Sequence, residues 1–184
     1  MRKLIGIVMC VVLWGCGADP FPKPKAYLSL NYPKKEFRKL PVKRPYQFDI
    51  PENTEIKDLP KQWLKIKYPA LKASVDITYR PVQGNLRELL LESEKLVLEH
   101  TVKADNISYI NYFNDETKVF GKLCEISGNA ASQVQFHVTD STKHFLKASL
   151  FFYAKPNYDS IYPAVEYIKK DMIRMMETCE WTTK

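Results

Sequence analysis

Four cysteines and three histidines stand among the 184 residues of the chain, and they are the side chains with most capacity for chemistry. Cys16 is the best placed of them. Arg2 and Lys3 form a charged start, Leu4 to Leu13 an apolar run, and Gly15 stands directly before the cysteine, the order of an export signal that ends at a lipid-accepting thiol. In this lipobox pattern Cys16 is acylated and becomes the first residue of the mature chain. The apolar run is shorter than the roughly 20 residues that cross a bilayer, so a spanning helix is the weaker reading. Trp14 occupies a position where a small side chain is usual, which predicts slower processing.

The histidines offer less. His100, His137 and His144 fall on different expected elements and lack the spacing of paired metal ligands. His137, Asp140, Ser141 and His144 crowd one strand-turn-strand region, and a Ser/His/Asp set can be drawn from them. Residues of a single tight turn point apart, however, whereas a triad is assembled from separated elements around a pocket with oxyanion donors. Asp140 and Ser141 are ordinary turn formers. No nucleophile elbow, phosphate-cradling glycine loop or zinc cysteine pair is present, and six glycines leave little room for one. The expectation is a protein with no catalytic residues, no metal and no cofactor. With Cys10 removed and Cys16 acylated, Cys124 and Cys179 remain. They form either one disulfide, if their Cα atoms come within about 4.4–6.8 Å, or two separate buried thiols.

The formal net charge of +7 is concentrated in one stretch. Lys23, Lys25, Lys34, Lys35, Arg38, Lys39, Lys43 and Arg44 face only Glu36. Behind a lipid anchor such a stretch lies near anionic headgroups, each cation adding up to about 1 kcal/mol before salt screening. A solvated basic face without a partner is the other reading. An exported chain does not meet nucleic acid, so none is expected as a partner.

The elements that must position these residues follow in order. Residues 1–15 read as the signal and 16–25, with Pro20, Pro22 and Pro24, as a semi-rigid tether. One domain, 26–184, remains. Short strands are expected at Ala26–Tyr32 and Tyr46–Ile50, and a hairpin over Trp63–Arg80, where apolar and charged side chains alternate. Asn85 and Glu88 predict a capping-box start to a helix whose stripe is Leu86, Leu89, Leu90, Ser93, Leu96, Val97 and Thr101. Four antiparallel strands follow, around 107–113, 119–126, 132–139 and 145–153. Gln133, Gln135 and His137 alternate with Val134, Phe136 and Val138, whereas Leu150 to Tyr153 reads as a central strand covered on both faces. The last helix is expected from near Ser160, with Pro163 in its first turn and Ile161, Val165, Ile168, Met172, Met175, Met176 and Cys179 as its core stripe. Asp171 falls outside that stripe. The fold class is α+β, a mainly antiparallel sheet packed by two amphipathic helices.

Many ordered segments carry a family resemblance. Cys16 with Pro22-Lys23-Pro24-Lys25-Ala26-Tyr27-Leu28, Thr78-Tyr79-Arg80-Pro81-Val82, Gly128-Asn129-Ala130-Ala131-Ser132 and Val138-Thr139-Asp140-Ser141-Thr142-Lys143-His144-Phe145-Leu146 resemble the gliding-motility lipoprotein GldD of Bacteroidota, as does the closing run Ile168-Lys169-Lys170-Asp171-Met172. The resemblance implies a cell-envelope lipoprotein needed for gliding and the associated type IX secretion machinery, with no enzymatic activity and no catalytic residue to carry over. The order of elements is similar to the Mog1/PsbP-like fold. The implied partners are a membrane, through the N-terminal lipid, and other gliding or secretion proteins. A non-catalytic assembly or stabilising factor, periplasm-facing because only Asp19 lies near Cys16, is the first expectation. A small-ligand or lipid-binding lipoprotein, marked by an aromatic-lined cavity above about 300 Å³, is the second.

Cys16→Ala should yield an unacylated product that leaves the membrane fraction, because stable anchoring needs the several acyl chains this thiol receives. Detergent partitioning of mutant and parent checks it; unchanged partitioning overturns the assignment.

Overall fold

The computed structural model describes residues 32, 34–99, 104–153 and 157–182. Cys16, the signal, the tether, the expected strand up to Asn31, His100 and Thr101 lie outside the described residues. In chain order the elements are β1 (Phe37–Lys39), β2 (Tyr46–Gln47), β3 (Asp49–Pro51), β4 (Glu55–Asp58), β5 (Leu64–Tyr68), β6 (Ala73–Pro81), α1 (Leu86–Glu99), β7 (Ala104–Asn114), β8 (Val119–Gly128), β9 (Val134–Thr139), β10 (His144–Phe152), α2 (Tyr158–Glu177) and β11 (Glu180–Trp181).

The α+β class holds. Seven strands pair antiparallel in the order β4-β5-β6-β10-β9-β8-β7. The long β6–β10 ladder, from Ala73↔Phe152 to Pro81↔His144, forms the middle. Because side chains alternate along each strand, register decides which residues share a face. Leu64, Ile66, Val75, Ile77, Leu146, Ala148, Leu150, Val134, Phe136, Val138 and Leu123 fall on one face, and α2 packs on it with Val165, Ile168, Met172, Met175 and Met176. Leu40, Tyr46, Phe48 and Ile50, from the small β1–β3 and β2–β11 ladders, complete this core. The methionine stripe therefore packs the interior, as its period predicts. Gly121 sits on β8 where a Cβ would meet the His137 carbonyl oxygen at 2.0 Å, so only glycine lets β8 and β9 approach this closely.

Several local expectations are corrected. Asn85 does not cap the helix ahead of it: its Oδ1 accepts from the Gln83 N–H at 2.9 Å. The last helix begins at Tyr158 and carries Pro163 in its interior, where the ring removes one intrahelical donor. Asp171 belongs to the buried face and has no exposed surface. It is tolerated there because Lys35 reaches in from the N-terminal segment, its Nζ 2.5 Å from Oδ1, while the Tyr68 hydroxyl donates to Oδ2 at 3.3 Å. Burial holds this carboxyl above its usual range and the Lys35 ammonium below its own, each shift offset by the partner. The strand covered on both faces is β9, all six of whose residues are buried. At the end of β10, Phe151 and Phe152 are only half-buried and Tyr153 is exposed. β1, β4 and β11, two to four residues long, are further strands too short for the sequence pattern to predict.

Cys124 and Cys179 are both free and buried, on different sides of the sheet, so the two-thiol reading holds. Burial pushes the thiols up to about 11 and about 12, respectively, which keeps both protonated and unreactive.

Ile168 is fully buried at the centre of α2's contact with the sheet. Ile168→Ala should cost about 2–5 kcal/mol, lowering melting temperature and envelope abundance together. A mutant as stable and abundant as the parent but non-motile would move this stripe from core to interaction surface.

Candidate functional site

The two histidines that suggested a triad are not brought together. His137 and His144 lie on opposite faces of the sheet, as their registers require. His144 is buried beside the core, its Nδ1 2.8 Å from the Tyr79 hydroxyl and its ring stacked on Trp181 at 4.9 Å. Asp140 closes the β9–β10 turn, Oδ1 accepting the N–H groups of Thr142, Lys143 and His144 at 2.8–3.0 Å. Partial burial works against its charge, but these bonds outweigh it and hold its carboxyl below the usual range. Ser141 is exposed in the left-handed region, with φ of 67°. This is turn chemistry.

The less obvious feature is the second face of the sheet. It carries Lys65, Asp76, Thr78, Arg80, Phe145, Lys147, Ser149, Gln135, His137, Lys122 and Cys124, and the fourteen-residue α1 covers only part of it. α1 buries just Leu89, Ser93 and Val97. Leu96, expected in the stripe, is 39% exposed, and Leu91 and Leu98 point outward at 55% and 58%. Beside the helix runs a groove of about 290 Å³ whose lining combines the apolar Trp63, Leu89, Leu96, Phe145 and Phe151 with the charged Asp76, Arg80, Glu92 and Lys147 and the hydroxyls of Thr78, Ser93 and Ser149. It is close to the size at which small-molecule sites begin. A wider, shallower dish of about 640 Å³ on the outside of α2, bordered by Tyr32, Tyr162 and Tyr167, is open to solvent. Sequence reasoning named His137 on this face but not Lys147, although the alternation of Phe145, Lys147 and Ser149 with Leu146, Ala148 and Leu150 was readable.

The sheet's two edges differ. β4 is four residues long and carries Glu55, Lys57 and Asp58, the usual protection against stray pairing. β7 is eleven residues long, has no proline, and its one charge is Asp105 beside the bulge at its start. Tyr109, Ile110 and Phe113 are 50%, 53% and 72% exposed along it.

Residues 17–181 match the gliding motility lipoprotein GldD family. The chain belongs to this family. No curated protein matches it. Family membership makes the chain a lipoprotein with a role in gliding motility. In this GldD family member four of the six described cations of the basic stretch behind the expected anchor have contacts within the fold. Lys35 is bound to Asp171, Arg38 reaches the Thr54 carbonyl at 3.3 Å, Lys39 lies 3.9 Å from Glu180, and Arg44 pairs with Asp58. Of its described cations, only Lys34 and Lys43 lack such a contact.

His137 is 8% exposed, with Ser93 Oγ 3.5 Å from Nδ1. Burial, reinforced by Lys122 and Lys147 and opposed by Glu94, lowers its imidazole to about 4 from 6.5. Between these values the unfolded chain binds a proton that the folded one refuses. Stability is therefore full above about pH 6.5 and declines toward pH 4, by about 3 kcal/mol from this group. Urea unfolding across that range checks it: His137→Gln should flatten the decline, and an unchanged slope would overturn the assignment.

Proposed function

We propose that residues 1–15 are removed, that Cys16 carries the lipid, and that residues 16–25 tether the domain to an envelope membrane on the periplasmic side. There it serves gliding and the associated type IX secretion as a non-catalytic assembly or stabilising factor. The observation that carries this reading is the unprotected β7 edge. A long, nearly uncharged edge strand with exposed apolar side chains is a template for strand addition. The opposite edge of the same sheet is guarded, which makes the contrast meaningful. Its occupant in this reading is an extended segment of another protein of the apparatus, paired with β7 through backbone hydrogen bonds and held by Tyr109, Ile110 and Phe113. The arrangement of a sheet between α1 and α2 supports the Mog1/PsbP-like assignment. A second reading, a small-ligand or lipid-binding lipoprotein, is favoured by the groove under α1.

Ile110→Lys places a charge on the free edge at an exposed position. It should leave melting temperature and abundance near those of the parent, as surface substitutions do, and abolish both co-purification of the apparatus and motility. Retained motility with lysine at this position would overturn the edge as the docking surface.

A further inference from the structure

On the α1 side of the sheet three cations are paired, while Lys57 and Lys67, on the outer strands β4 and β5 and outside the groove lining, and Lys147 make no ion pair among the described residues. Lys65 is 2.8 Å from Asp76, Arg80 is 3.4 Å from Glu92, and Lys122 is 3.3 Å from Glu94. Glu92 and Glu94 both belong to α1, so the helix supplies carboxylates to the strands on either side of the middle. Lys147, on the central strand β10 between Thr78 and His137, has no ion-pair or hydrogen-bond partner among the described residues. It is half-buried, and desolvation, only partly opposed by Glu92 at longer range, lowers its pKa. Desolvated charges in proteins are ordinarily paired. Here the partner is missing at the floor of a groove.

We propose that this groove binds a single-chain amphiphile with a carboxylate head, a free medium-chain fatty acid, its head on Lys147 and its hydrocarbon against Trp63, Leu89, Leu96, Phe145 and Phe151. Beside these apolar side chains the lining carries Asp76, which Lys65 meets, and Arg80 and Glu92, which meet each other, so Lys147 is the lining charge left without an ion pair, which fits a monoanion with a hydrocarbon tail. The Thr78 hydroxyl, on the residue paired with Lys147 across the strands, also lines the groove and offers a donor to the second carboxylate oxygen, whereas the Ser149 hydroxyl donates to Gln135 Oε1 at 3.4 Å. A groove of about 290 Å³ is at the small end of ligand sites, which limits the tail to a medium chain. The inference rests on the ligand-binding reading of the groove and is independent of the β7 edge.

The test titrates decanoate and 1-decanol, below micelle-forming concentrations, into the full chain carrying Cys16→Ser, so that no acyl chain of its own competes. Calorimetry should show decanoate binding at least tenfold more tightly than 1-decanol. Lys147→Met should bring decanoate down to the level of decanol while leaving decanol unchanged, and Lys147→Arg should restore the preference. The melting temperature of Lys147→Met should equal or exceed that of the parent, because the variant loses an unpaired, partly desolvated charge. Equal binding of the two probes by the parent overturns the carboxylate assignment and leaves the ligand reading standing. Binding of neither overturns both. That comparison is made within one chain and needs no variant to fold.

Discussion

A seven-stranded sheet has two faces to cover, and the described residues supply one long α-helix and one shorter one to do it. The twenty-residue α2 and the N-terminal ribbons close one face with aliphatic and methionine side chains. The fourteen-residue α1 cannot close the other. That face is accordingly built from side chains that tolerate water, with lysines, serine, threonine and glutamine in the inward register positions where the first face has valine, isoleucine and leucine. Polar floor, open groove and outward-facing leucines follow from this shortage of covering helix.

The closed face depends on one polar contact. Asp171 would be an unpaired charge in the core were it not met by Lys35, whose ammonium also reaches the Tyr167 carbonyl at 2.5 Å and lies 3.7 Å above that residue's ring. Tyr32 stacks on the same ring at 4.7 Å. The start of the described chain is thus pinned to α2, on the face opposite the groove. A buried pair of this kind adds little net stability compared with an apolar substitute, but removal of one partner strands the other. Its evident consequence is positional: it fixes where the N-terminal segment joins the body, so the groove and the β7 edge keep a set orientation relative to that point.

How much of this could be read from the sequence depends on the range of the interaction. The α2 stripe was legible because Val165, Ile168, Met172 and Met176 repeat at the helical period, and the hairpin over Trp63–Arg80 because alternation is local. Asp171 was misplaced because its partner lies 136 residues away, and no local period records a distant cation. β9 and β10 were assigned the wrong degree of cover for a similar reason. Gln133, Gln135 and His137 look like a solvent face until α1 and the neighbouring strands bury them. The pair that matters for the groove was half visible: Lys147 alternates with apolar residues in sequence, but a lysine that lacks its carboxylate reads the same as one that has it.

The two helices also differ in how firmly they are held. α1 buries two apolar side chains, Leu89 and Val97, worth about 1.5–3 kcal/mol each, with the Ser93–His137 contact and two ion pairs at 3.3–3.4 Å between exposed side chains. Exposed pairs contribute little. α2 buries six apolar side chains and Asp171 with its lysine. Local opening follows the lower of such sums, so α1 can shift on the sheet at a free energy that leaves the α2 core intact. A groove roofed by the weaker helix can therefore widen for an occupant without unfolding the domain. The same weakness confines adjustment to the face that carries Lys147 and leaves the core and the pinned N-terminal segment unchanged.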